Sequence, residues 1–137
     1  MLRKGRVVRG IWAACLLIAG ANHARILLQH GLQFDYGGVA LPSALYWTSL
    51  ALLDPLVAAL LFVRPTWGIV GTVMLIATNV AHNLTIVAQR APEGELFGRV
   101  AFSPILLSQI AFLAFVAATA RIAWRGAVVR QAAAGSG

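Results

Sequence analysis

Apolar residues in this chain are gathered into long uninterrupted blocks. No Asp, Glu, Lys or Arg occurs in residues 36–53, 65–89 or 100–120, and each block is near or above the roughly 18 residues that mark a bilayer-spanning helix. A further apolar run, 10–21, follows the basic start Arg3-Lys4-Gly5-Arg6 and resumes at Ile26, Leu27 and Leu28. The pattern predicts four spanning helices at about residues 7–29, 42–63, 68–88 and 104–124.

Breakers fall between these blocks. Asp35-Tyr36-Gly37-Gly38 is a turn signal and Pro42-Ser43 a helix start. Arg64-Pro65-Thr66-Trp67 makes a short turn at a membrane surface, and Pro92-Glu93-Gly94-Glu95 suits the first turn of a short surface helix. Residues 125–137 are basic and then rich in Ala, Gly and Ser, which predicts a flexible tail. The expected fold is an all-α integral membrane four-helix bundle forming one domain over residues 1–137. The basic start, apolar run and Ala19-Gly20-Ala21 also describe a signal peptide with a cleavage site. The apolar character that resumes beyond the supposed cut favours the spanning helix.

Composition agrees with the blocks. The chain is 60% hydrophobic and 11% charged, with a mean hydropathy of +0.81, against about 25% charged in soluble domains. The net charge of +7 comes from eleven Lys and Arg against Asp35, Asp54, Glu93 and Glu95. These cations flank the apolar segments, where they meet lipid headgroups and set orientation, so the expected partner is the bilayer and not nucleic acid. Arg3, Lys4, Arg6, Arg9, Arg64, Arg121, Arg125 and Arg130 fall on one side, and Arg25, Arg90 and Arg99 on the other. This asymmetry predicts both termini in the cytoplasm, and a bacterial inner (cytoplasmic) membrane. Phe34, Tyr36, Tyr46 and Trp47 on one side, and Trp67 and Trp124 on the other, suit aromatic belts. Cys15 is the one cysteine, so no disulfide within the chain is available.

The candidate chemistry lies in polar residues inside the apolar blocks. Counted at about 1.5 Å per residue from Arg9, Arg64, Trp67 and Arg121, Asn22 and His23 lie about 20 Å deep and Asp54 about 15 Å. On the same count Asn79 lies at about 18 Å, His82 and Asn83 at about 23 Å, and Ser108 and Gln109 at about 19 Å. Asn79, His82 and Asn83 share one helix face, as do His23 and His30. Polar groups are costly in hydrocarbon, so they are expected to point inward and meet. Pro55 follows Asp54 and frees the carbonyl of Ala51, and Trp47 lies on the same face, which suggests a small oxygen-rich cavity. The competing reading is a kinked helix with Asp54 hydrogen-bonded to Asn79 or His82 for packing alone. Arg25 is expected to snorkel to the surface, and His30 to sit at the interface.

These residues define the expected ligand site as Asn22, His23, Asp54, Asn79, His82 and Asn83, with Arg25, Trp47, Ser108 and Gln109 in secondary roles. No catalytic motif is recognisable: there is no phosphate loop, no His-Glu-x-x-His and no nucleophile with a paired base, so an enzyme is not the favoured expectation. His23, His82 and Asp54 form a two-His, one-carboxylate set that would hold a metal if any residues here do. The favoured function is binding or transport of a proton, cation or small polar ligand, within an oligomer or a larger membrane complex. One alternative is an accessory subunit whose polar layer only locks helix register. The other is an electron carrier with haem b between His23 and His82, although Asp54, Asn22 and Asn79 are poor neighbours for a large apolar macrocycle.

Overall fold

The structure, a computed structural model, describes residues 2–134, with side chains described as far as residue 128. Its elements are α1 (Leu2–His30), α2 (Leu41–Val63), α3 (Pro65–Arg90), α4 (Leu96–Ala101) and α5 (Pro104–Ala134), and no strand occurs among the described residues. Four of these, α1, α2, α3 and α5, are long and apolar enough to cross a membrane. Their outward faces stay apolar, with Ile18, Leu52, Val63 and Met74 all exposed. Such faces are unfavourable in water and suit hydrocarbon.

The start of α3 at Pro65 takes in three residues of the turn expected over 64–67 and leaves Arg64 alone between α2 and α3, because proline suits a first helical position. The helix ends depart from the expected ones in three further places. First, α1 begins at Leu2 and includes the whole basic start, which Arg and Lys permit because they are good helix formers. Second, the segment expected as a tail continues α5 to Ala134, and residues 135–137 lie outside the described residues. Third, the short helix follows Pro92-Glu93-Gly94-Glu95 instead of starting within it. Glu95 N–H donates to the Pro92 carbonyl at 3.0 Å, and Gly94 has φ +82°. That left-handed residue cannot lie in a right-handed helical turn.

Each long helix has two long neighbours: α1 packs on α2 and α5, and α3 packs on the same two. The chain therefore has a termini end, where α1 starts beside the last turns of α5, and a loop end formed by residues 31–40 and 91–103. Trp12, Leu16, Leu61, Ile69 and Val116 are among the buried core residues. Backbones come closest at glycines. A Cβ on Gly5 would lie 2.9 Å from Gly126 Cα, and one on Gly20 would lie 2.9 Å from Pro55 Cδ and 3.1 Å from Asp54 Cβ. Small residues at such crossings let helices approach in a setting where lipid supplies no hydrophobic drive.

One cation departs from its expected place. Arg9, counted above among the surface charges, has 0% exposure, and its Nη1 donates to the Ala123 carbonyl at 3.2 Å. One turn further along α1, Trp12 Nε1–H donates to Thr119 Oγ1 at 3.1 Å. The Gly5–Gly126 approach puts the two helices close enough for the arginine to lie along α5 instead of extending into solvent.

Candidate functional site

Polar side chains from α2, α3 and α5 meet near the loop end. Trp47 Nε1–H donates to Asn83 Oδ1 at 2.8 Å. Asn83 Nδ2 donates to Asn79 Oδ1 at 3.2 Å and to Gln109 Oε1 at 2.7 Å. An indole N–H can only donate, so Trp47 fixes the Asn83 amide with its oxygen towards α2 and its NH2 group towards Asn79 and Gln109. The four-residue spacing of Asn79 and Asn83 places both on one face of α3, and that face meets two neighbouring helices at once.

His82, on the adjoining face of α3, lies against two aromatic rings of α2. Its ring is edge-on to Tyr46 at 4.8 Å between centroids and to Trp47 at 5.6 Å. The ring contacts continue through Trp47–Tyr36 at 5.2 Å and Tyr36–Phe34 at 4.8 Å to His30, stacked on Phe34 at 4.4 Å. This series spans the loop that joins α1 to α2, where Tyr36 has φ +50°, followed by Gly37 at +79° and Gly38 at +77°. Three successive left-handed residues are an unfavourable backbone for Tyr36 alone, since the glycines carry no Cβ. Asp35 Oδ1 accepts the Gly37 N–H at 3.0 Å, and Arg90 Nη2 donates to the Gly37 carbonyl at 3.1 Å. The first bond closes the turn on itself, the second ties it to the end of α3, and the Tyr36–Trp47 contact ties it to α2.

Between this loop and α3 lies a half-open cavity of about 380 Å³, lined by Gly38, Val39, Ala40, Ser43, His82, Thr85, Ile86, Gln89 and Arg90. The Nε2 atom of His82 is buried and has no hydrogen-bond partner. A buried polar atom without a partner costs free energy unless something else supplies the bond.

The other expected residues divide by position. Asp54 is 4% exposed and packs where Gly20 of α1 crosses α2. Its carboxyl group makes no hydrogen bond or ion pair with any described residue, although it lies within electrostatic reach of Tyr46, whose buried hydroxyl lacks a partner. His23 is half-buried with Nδ1 unpartnered, and it does not hydrogen-bond to the Trp47–Asn83–Gln109 group. Asn22 and Arg25 pair with each other on an exposed face, at 3.3 Å. Ser108 is exposed and donates to the Ile105 carbonyl of its own helix at 2.7 Å. A serine that satisfies itself on its own backbone needs no inward partner, which is why depth alone misplaces it. Thus Asn79, His82, Asn83, Trp47 and Gln109 come together, whereas Asn22, Arg25 and Ser108 do not join them.

No group of three or more His, Cys, Asp or Glu side chains that could hold a metal ion occurs among the described residues, so His23, His82 and Asp54 are not assembled as a ligand set. Sequence reasoning missed Ser43, read only as a helix start, and Arg90, read only as a surface charge. The proximity of both to the Gly37-Gly38 turn depends on how α3 meets the loop, for which the chain carries no local signal. No protein-family model, curated protein or solved structure matches this chain.

Proposed function

We propose that this protein is a polytopic binding component of a bacterial inner membrane, a four-helix bundle with both termini in the cytoplasm. In this reading the loop-end cavity takes a small polar ligand from the opposite side, and the protein works as an oligomer or within a larger membrane complex. The observation that carries the reading is His82 Nε2, buried and unpartnered on a residue that lines the cavity. The orientation rests on charge. With Arg9 buried, the termini end still presents Arg3, Lys4, Arg6, Arg64, Arg121 and Arg125, against Arg25, Arg90 and Arg99 at the loop end.

The test is thermal unfolding of the purified protein in dodecyl maltoside with a panel of sugars, amino acids, amines and carboxylates. A ligand that binds only the folded state raises the midpoint. At least one compound should do so for the wild type and fail for His82→Phe, which keeps a ring against Tyr46 and Trp47 and removes the nitrogen. If no compound acts, or if both proteins respond equally, the binding reading fails. The accessory-subunit reading then stands. It has its own support in the Trp47–Asn83–Gln109 group, whose bonds satisfy one another without a ligand.

A further inference from the structure

The cavity at the loop end is electrostatically one-sided. Its polar lining is Ser43, His82, Thr85, Gln89 and Arg90, and no carboxylate lines it. Ser43 is 8% exposed, and its hydroxyl has no hydrogen-bond partner among the described residues, although its amide donates to the Ala40 carbonyl at 2.9 Å. A serine in a helix normally satisfies its hydroxyl on its own backbone, as Ser49 does on Tyr46 O at 2.7 Å. Arg90 uses Nη2 on the Gly37 carbonyl, and its other donors make no hydrogen bond to a described residue. The α2 helix starts at this wall with no side chain capping it, Ala40 being its N-cap. The amides of Ser43 and Ala44 turn back onto the Ala40 carbonyl, so the helix end adds the positive pole of its dipole and few free N–H groups.

The acids near this end are accounted for. Asp35 accepts from Gly37 N–H, Glu95 pairs with Arg99 at 3.5 Å, Glu93 is exposed beyond α3, and Asp54 lies two turns deeper in α2 than Trp47. A cation entering the cavity would meet Arg90 and the helix dipole with no lining carboxylate to offset them. An oxyanion would find a guanidinium and a free hydroxyl, on a wall that His82 completes with its unpartnered Nε2 just beneath the surface.

We propose that the cavity is an oxyanion site that takes a carboxylate or phosphate group, with Arg90 supplying charge-assisted hydrogen bonds and Ser43 Oγ and His82 Nε2 supplying the remaining contacts. This deepens, and rests on, the reading of the cavity as a ligand site. Because the cavity opens where the spanning helices end, the group can belong to a dissolved anion or to a lipid headgroup. The chemistry recognised is the same.

The test uses the full chain in dodecyl maltoside, a detergent without phosphate. Sodium phosphate and sodium acetate are titrated calorimetrically at ionic strength held constant with sodium chloride, and phosphatidylglycerol is added in a parallel series. Saturable binding of phosphate or acetate is expected for a dissolved anion, and saturable stabilisation by phosphatidylglycerol alone for a headgroup. In either case Arg90→Ala should weaken binding by about tenfold to a hundredfold and Ser43→Ala by about two- to tenfold, and Arg90→Lys should recover part of the loss. Circular dichroism and gel filtration establish that the variants fold. The inference is overturned if neither anions nor phosphatidylglycerol bind saturably, or if a folded Arg90→Ala binds them as the wild type does. A neutral or cationic compound that binds in a His82-dependent way would overturn it too, while leaving the cavity a ligand site.

Discussion

Asn83 is the residue on which α2, α3 and α5 converge, and its removal gives the most direct measure of what the polar group contributes. The side chain takes part in three hydrogen bonds, at 2.8 Å to Trp47, 3.2 Å to Asn79 and 2.7 Å to Gln109. Side-chain hydrogen bonds inside membrane proteins average about 0.6 kcal/mol, with a maximum of about 1.7 kcal/mol. Asn83→Ala should therefore cost about 2 kcal/mol, and about 5 kcal/mol if all three are at the strong end. Packing loss contributes to the same number, so a double-mutant cycle with Trp47→Phe is needed. That partner deletes the indole N–H and retains an aromatic ring beside His82 and Tyr36. Reversible unfolding in bicelles should show a coupling of about 0.6 to 1.7 kcal/mol between the two changes. Ser108→Ala, next in sequence to Gln109 but bonded to its own helix, should be silent. A coupling within about 0.2 kcal/mol of zero, well below the average bond, would refute the claim that this group joins the helices.

Three further outcomes follow from the packing and the charge pattern. Gly20→Ala places a methyl against Pro55 Cδ and Asp54 Cβ, neither of them a flexible chain end, and should cost about 1–3 kcal/mol in the same unfolding assay. Arg9→Ala removes the second donor to the Ala123 carbonyl, which keeps its bond within α5, and empties the space of a fully buried side chain; a loss of about 2 kcal/mol or more is expected in thermal or bicelle unfolding, most of it from the cavity left behind. For topology, alkaline phosphatase fused at Pro92 should be active while a fluorescent protein fused after Ala134 fluoresces. Activity of phosphatase fusions at both points would refute four spans with cytoplasmic termini.

The spanning helices were legible because a bilayer turns apolar length into a structural constraint: the backbone must satisfy itself over about 20 residues, so charge-free blocks mark the helices directly. Helix ends were less legible, because Arg and Ala extend a helix as readily as they solvate its end, as α1 and α5 show. Within the site, spacing along one helix was reliable: Asn79 and Asn83 do share a face and a hydrogen bond. Partners across helices were not, because they depend on each helix's rotation and axial offset. Depth counting placed Ser108 and Gln109 together, yet a step of one residue turns a helix by about 100°, and only Gln109 reaches Asn83. Arg9 shows the same limit. By type and position it matches Arg3 and Arg6, and what distinguishes it is a backbone contact between Gly5 and Gly126, which nothing near Arg9 announces.

The two ends of the molecule are held by different physics, and this bears on where function can reside. Towards the termini end, helix contacts are tight at Gly5, Gly68 and Gly126, and Arg9 is enclosed between α1 and α5. Interiors packed this way resist small displacements, because a fraction of an ångström already forfeits much of the dispersion contact. At the loop end the contacts are directional, made between helices by Asn83, Trp47 and Gln109 and, at the wall of the cavity, by Arg90. Arg90 contributes to both sides of that arrangement, pinning Gly37 with one donor while lining the cavity. On the proposal that an oxyanion binds there, it would draw on the same guanidinium that holds the α1–α2 loop, and occupancy would then be coupled to loop position through one side chain.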